Sequence, residues 1–311
     1  MKHQEKPTEE NRTQWMEFVL VGFADMPRLQ WFLFGLFLII YIIILVSNGT
    51  IFLITKMDSA LQSPMYYFLA NFSFLEICYV SVTLPRMLMN LATQRRTISL
   101  IACAIQMYFV LIFASTECSL LTVMAYDRYV AICNPLHYPL VMNHRVCIQL
   151  VSVSWIPGIP IQIGQTCQVF SLNFCGSNQI DHFFCDMPPV FKLACGDTFV
   201  NEMLLCIVLV FYGMIPLLLI VGSYTKIIST ILKLPSATTR AKAFSTCSSH
   251  LTVVVLFFGS AIITYLRPSH SGGASKVLSL FYTILIPMLN PMIYTLRNKD
   301  VIMALRKLLC I

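Results

Sequence analysis

Few residues in this chain could do chemistry, and most of them stand in or beside long apolar runs. Asp127 and Arg128 occur together in "MAYDRYVAIC", directly after the apolar run "CAIQMYFVLIFASTECSLLTV". Two carboxylates, Glu76 and Glu117, lie well inside apolar stretches. Such groups are expensive in a bilayer, and they face a bundle interior with a partner or mark a proton or ion site. His250 stands alone in another apolar run, with no nucleophile or second metal ligand at catalytic spacing. Hydrolytic and metal-assisted chemistry therefore lack a constellation, and an intramembrane enzyme is disfavoured. Cys175, Cys185 and Cys195 are spaced ten apart in "FCGSNQIDHFFCDMPPVFKLACGDT". Sequence alone does not give their connectivity.

These residues need a membrane to position them. The chain has 311 residues, 57% hydrophobic and 11% charged, against about 25% charged in soluble domains. Seven runs approach the roughly 20 apolar residues of a spanning helix: roughly 31–54, 64–89, 101–126, 146–166, 200–225, 243–266 and 276–297. Backbone polar groups in lipid must be satisfied internally, so these runs are expected to be helices. Pro157, Pro160, Pro216, Pro287 and Pro291 are expected as kinks packed against neighbours. The fold class is thus an all-α membrane protein, a single seven-helix bundle over 1–311. Residues 1–30 form an outer tail, 31–297 the bundle, and 298–311 an inner tail with a short helix. The polar start has no apolar core segment, so the first span is expected to serve as the targeting signal.

Orientation follows from three signals. Lysines and arginines divide eleven inside to ten outside for an outer N-terminus, so the positive-inside rule is close to silent. "NRT" makes Asn11 a glycosylation acceptor in the polar N-terminal segment. The cysteine-rich loop at 167–199 suits the oxidising side. Both place the N-terminus outside. Cys103 and Arg128 are then about 37 Å apart along one helix, roughly a membrane thickness. Arg128 belongs to the inner boundary, where an interfacial pair that snorkels to water is the plain reading. The net charge of +7 is read against the bilayer and not as a nucleic-acid signal.

Four stretches in order, "PMYYFLANFSFLEIC", "MAYDRYVAICNPLHYPL", "KAFSTCSSHL" and "PMLNPMIYTLRNKDV", resemble the olfactory receptor family, a branch of the rhodopsin-like G-protein-coupled receptors. The resemblance runs over essentially the whole chain. It implies a receptor in the plasma membrane, without a cofactor, that takes a small odorant from outside and engages a heterotrimeric G protein of the stimulatory olfactory type inside, raising cyclic AMP.

By the same resemblance, Asp127, Arg128 and Tyr129 match the arginine switch of the third span. Asn290, Pro291 and Tyr294 match the seventh-span motif, Tyr224 its fifth-span partner, and Lys242 and His250 the sixth-span segment that swings outward. The family pairs Cys103 with Cys185 and Cys175 with Cys195. That assignment disfavours a metal at His182, which stands three residues before Cys185. Glu76 matches a position where related receptors hold sodium through an aspartate; glutamate here leaves a bound sodium and a hydrogen-bonded acid both open.

Met107, Val110, Leu111, Ala114, Ser115 and Cys118 recur at helical spacing in the outer half of the third span. The family faces this stripe to the ligand with Val208, Tyr212, Ala261, Tyr265 and Thr283. Val110 stands where amine receptors carry an acid, so the expected ligand is neutral and mostly apolar, with Ser115, Tyr212, Tyr265 or Thr283 giving one or two hydrogen bonds. A channel or transporter would want polar rows or paired broken helices, and two isolated glutamates are thin support. A retinal protein would want a lysine deep in the seventh span, where none occurs. A chemoreceptor used outside the nose carries the same motifs and stays open.

Overall fold

In a computed structural model, residues 17–22, 27–93, 95–175, 177–266, 279–296 and 299–308 are described. Asn11 lies outside them, as do the side chains of Lys242, Tyr265 and Tyr294.

Six helical stretches among the described residues are long and apolar enough to cross a bilayer: Gln30–Met57, Pro64–Thr93, Leu100–Cys133, His144–Phe170, Phe199–Leu232 and Ala237–Ile263. They coincide with the first six expected spans. The seventh is described from Ser279 and ends in the helix Ile286–Leu296. It packs against the first, second and sixth spans. A terminal helix, Lys299–Leu308, lies against the inner end of the first span and buries Val301 and Ala304.

The prolines are accommodated in three ways. Pro157 stands at the break between His144–Trp155 and Gly158–Phe170. Pro216 follows a π-helical segment, Val210–Met214, and Pro287 follows another, Phe281–Leu285. A proline ring pushes on the carbonyl four residues earlier and offers no N–H to it. Those carbonyls belong to Tyr212 and Thr283, each inside a widened π turn, which gives the ring room. Pro85, by contrast, is held within the long second span.

One departure from the all-helical expectation lies at the outer end. Glu17–Leu20 forms a strand, β1, pairing antiparallel with Thr97–Ser99 (β2) and parallel with Gln179–Ile180 (β3). The stretch "EFVL" alternates, so Phe18 and Leu20 turn inward and are fully buried. Phe18 meets Phe174 edge to face at 5.3 Å. Part of the segment read as a free outer tail is thus a structural strand.

The same end is fastened covalently. Cys103–Cys185 and Cys175–Cys195 are disulfides, with Cα separations of 5.4 and 5.8 Å. Gln106 donates to Val82 O at 2.9 Å and accepts from the Cys185 N–H at 3.0 Å. The second span, third span and outer loop therefore meet at one amide. His182 takes part in this packing through its contact with Phe184 O at 3.1 Å.

At the inner end, Asp58 caps the turn Ser59–Leu61 through the Ala60 N–H at 3.0 Å and meets Lys307 Nζ at 3.3 Å. The Ala60 amide, with Lys307 in a smaller part, holds the Asp58 carboxyl below the usual carboxylate range. It stays charged at neutral pH and tethers the terminal helix.

Replacing Cys103 or Cys185 by serine is expected to abolish surface delivery, read by staining unpermeabilised cells. Normal staining of either variant would remove the disulfide from any structural role. Phe18→Ala empties a fully buried ring site, for which losses of about 3–5 kcal/mol are usual. The purified protein should melt at a clearly lower temperature, and an unchanged midpoint would contradict the strand's packing.

Candidate ligand cavity and cytoplasmic latch

A cavity of about 320 Å³ opens among the third, fourth, fifth and sixth spans. The third span contributes Leu111, Ala114, Ser115 and Cys118, one stripe at helical spacing. The fifth contributes Leu205, Val208, Leu209 and Tyr212. Phe257, Phe258 and Ala261 come from the sixth, and Gln162 and Gln165 from the fourth. Gly158 lets the fourth span approach the third closely. A Cβ there would stand 3.3 Å from Ser115 Oγ and 3.6 Å from Ile112 Cγ1. Small residues at such crossings are the usual solution in membranes.

Two expected ligand residues lie elsewhere. Val110 is about a quarter turn from the centre of the third-span stripe, and it is buried in the main apolar core. Thr283 is buried in the seventh span, none of whose described residues lines this cavity. Ser115 lines the cavity, but it donates back to its own helix at Leu111 O and Ile112 O, 2.9 and 3.0 Å away. It can accept a hydrogen bond from a guest; its own proton is committed.

Below the cavity lie buried acids. Glu76 accepts from Asn290 Nδ2, joining the second and seventh spans. Glu76 Oε2, Asn290 Oδ1 and Glu117 Oε1 are sealed from solvent without a hydrogen-bond partner. Three orphaned oxygens suit a hard cation such as sodium. They equally suit a carboxylic acid that keeps its proton. Asn48 Nδ2 reaches Pro287 O at 3.2 Å and ties the first span to the seventh beside this site.

At the inner end, three helices are stitched by one polar row. The Tyr224 hydroxyl lies 2.8 Å from His250 Nδ1, and His250 Nε2 lies 3.1 Å from Leu121 O. A carbonyl only accepts, so Nε2 carries the imidazole proton and Nδ1 accepts from Tyr224. The two rings stack with centroids 5.7 Å apart. The Tyr224 hydroxyl oxygen also approaches Cys247 O at 3.4 Å. The fifth, sixth and third spans are thus latched together. One helical turn and more below Leu121, Asp127 Oδ1 accepts from the Tyr138 hydroxyl at 2.9 Å. Arg128, almost fully buried, reaches Met65 Sδ at 3.3 Å, and its Nε has no partner. Tyr129 packs half-buried against the same core. Pro291 is buried next to Asn290 inside the seventh span.

A family profile described as olfactory receptor matches residues 37–311. The chain belongs to the olfactory receptor family. Human olfactory receptor 10AG1 is 64% identical over 296 residues, covering 94% of this chain and 98% of that one. Human olfactory receptor 10A4 is 52% identical over 303 residues, covering 96% of each. Among solved structures, squid rhodopsin superposes with a TM-score of 0.74 at 16% identity, covering 90% of this chain and 80% of that one. At that identity the likeness shows the fold alone. The receptor is a multi-pass protein of the plasma membrane and a signalling protein, not an enzyme.

Some of its site residues were not visible to sequence reasoning. Gly158, Gln162, Gln165 and Tyr138 are among them. The signal for the two glutamines was available: amides three residues apart in the otherwise apolar "IPIQIGQTC".

Tyr224→Phe keeps the stacked ring and removes the hydroxyl. The expected loss is about 1 kcal/mol, the net worth of a buried hydrogen bond. It would be read as a lower unfolding midpoint of the solubilised receptor. A midpoint equal to the wild type would show that the row is not formed.

Proposed function

We propose that a small neutral odorant fills the cavity and drives the sixth span outward, exposing Arg128 to a stimulatory olfactory-type G protein and raising cyclic AMP. One observation carries this reading. The sixth span forms both a cavity wall, through Phe257, Phe258 and Ala261, and the inner latch, through His250. Phe258 and His250 are eight residues apart, about 12 Å along a helix. A guest that displaces the wall therefore loads the latch through one stiff element.

The chemistry of the wall supports a neutral guest. Among the described residues no acid or base lines the cavity, so a charged amine would lose its water without gaining a counter-ion. Closed and open packings that differ by a few kcal/mol can be rebalanced by apolar contacts of this size. Guest and G protein favour the same open state, so each raises the affinity of the other. Inside, Arg128 reaches Met65 through one guanidinium nitrogen while its Nε has no partner, so the group has donor capacity to offer once the sixth span uncovers it. Tyr129, Lys242, Asn290, Pro291 and Tyr294 complete the switch in this reading. Asn11 carries the glycan, and Glu76 with Asn290 and Glu117 would hold a sodium ion if one binds.

Two experiments test the proposal. Cyclic AMP in cells carrying the olfactory G protein should rise with dose for a subset of neutral volatiles. Arg128→Ala should remove that rise at undiminished surface density, and full signalling by the variant would sink the assigned role. Ala261→Trp should fill the cavity and shift half-maximal responses at least tenfold. An unchanged dose–response would place the odorant elsewhere.

A further inference from the structure

The cavity wall is apolar except for Ser115, Gln162, Gln165 and Tyr212. Ser115 has already spent its proton on its own helix. The two glutamines are different. Gln162 is 1% exposed and Gln165 is 7% exposed. Gln162 Oε1, Gln165 Oε1 and Gln165 Nε2 are all sealed from solvent with no hydrogen-bond partner. Both residues stand on the fourth span, which the third-span stripe and its resemblance did not include among the ligand contacts.

A primary amide in this position is an anomaly as a packing element. Leaving a buried donor or acceptor unmade costs about 1–3 kcal/mol per group. Gln106 shows what a structural glutamine does in this bundle: its nitrogen and its oxygen are both paired across helices. Gln165 has the same side chain with neither atom paired, and it borders the apolar cavity of the outer half. Hydrocarbon offers it nothing, and a guest in the adjoining cavity reaches the amide, covered in this structure, when the side chain turns toward that cavity.

We infer that Gln165, assisted by Gln162, is the polar anchor of the odorant site, and that the receptor is selective for apolar molecules bearing a hydroxyl group. This rests on the odorant reading above and narrows its ligand class. A hydroxyl both donates and accepts. It can give its one proton to Gln165 Oε1 or Gln162 Oε1 and accept from Gln165 Nε2, so a single small group satisfies two of the three orphaned atoms. An ether, ketone or ester accepts only and leaves both carbonyl oxygens unpaired. An alkane leaves all three atoms unpaired. A site built around an amide rejects the analogue that lacks the hydroxyl, as sites made to hydrogen-bond a substrate generally do. The cavity volume sets the remainder of the molecule. At about 30 Å³ per water-sized group it has room for about ten non-hydrogen atoms, the size of a medium-chain alcohol.

The experiment separates this inference from the signalling proposal. Purified wild-type receptor is melted in the presence of octanol, octyl methyl ether or octane, and ligand binding is read as stabilisation. Cyclic AMP is measured in parallel in cells. Octanol is expected to stabilise at a concentration ten- to hundredfold lower than the ether, the span that one or two unmade hydrogen bonds would give. In Gln165→Leu this preference should collapse, with surface density retained and octanol requiring a concentration close to the ether's. Gln165→Asn, which keeps the amide on a shorter stem, should restore part of it. If Gln165→Leu fails to reach the surface, Gln162→Leu is read in its place and should reduce the preference more weakly. Equal stabilisation by octanol and the ether, a preference untouched in Gln165→Leu, or no stabilisation by octanol at all overturns the inference. Octanol binding through Gln165 without a cyclic AMP rise would uphold the anchor and refute the signalling route.

Discussion

In hydrocarbon a polar group can be satisfied only by another group of the protein, and this condition orders the whole bundle. It makes the spans helical, because only helices pair every backbone amide within the segment. It directs serine and threonine hydroxyls back onto their own helices, as at Thr55, Thr83, Thr116 and Ser154. It concentrates the polar atoms that cannot be settled locally into a few cross-helix junctions. Gln106 settles the second span, third span and outer loop. Asn48 and Asn290 settle the first, second and seventh. Tyr224 and His250 settle the third, fifth and sixth. Among the described residues, what remains unsettled is a small set of atoms, those of Gln162, Gln165, Glu76 and Glu117 among them.

Those junctions divide the bundle into a fixed part and a movable one. The Cys103–Cys185 disulfide joins the third span to the outer loop, the Gln106 amide adds the second span, and the first span joins them through extensive apolar packing. The inner end of the sixth span is held mainly through His250, which takes one bond from the fifth span and gives one to the third. A helix held at few points near one end, and lining a cavity further out, is a lever. The two π turns lie beside Pro216 and Pro287 in the fifth and seventh spans, the neighbours that any displacement of the sixth must slide against.

How much of this could be read from sequence depended on the physical scale of the signal. A run of 20 apolar residues integrates many weak preferences, so the first six spans were legible, with ends displaced by up to seven residues. The stripe Leu111, Ala114, Ser115 and Cys118 was legible because helical periodicity fixes a face. Periodicity could not say where that face ends, and Val110, a quarter turn away, belongs to the core. Strand β1 was hidden because four residues with two inward positions carry almost no pattern above chance. Tyr224 and His250 were nameable by resemblance, but their bond across three helices is a tertiary fact. Gln162 and Gln165 were visible as letters, yet an amide in a span is ordinarily interhelical glue. Only the missing partners in three dimensions distinguish them.

Strand β1 also sets an order of events during synthesis. Glu17–Leu20 is made before its parallel partner Gln179–Ile180, which lies some 160 residues later. At ribosomal speeds of about 5–20 residues per second, that interval is on the order of ten seconds or more. Throughout it, Phe18 and Leu20 stand on the lumenal side of the translocating membrane without the loop that buries them. The nascent receptor therefore presents a sticky, unpaired edge to the secretory compartment for as long as four spans take to emerge. Its yield at the cell surface should then depend on what shields that edge in the meantime.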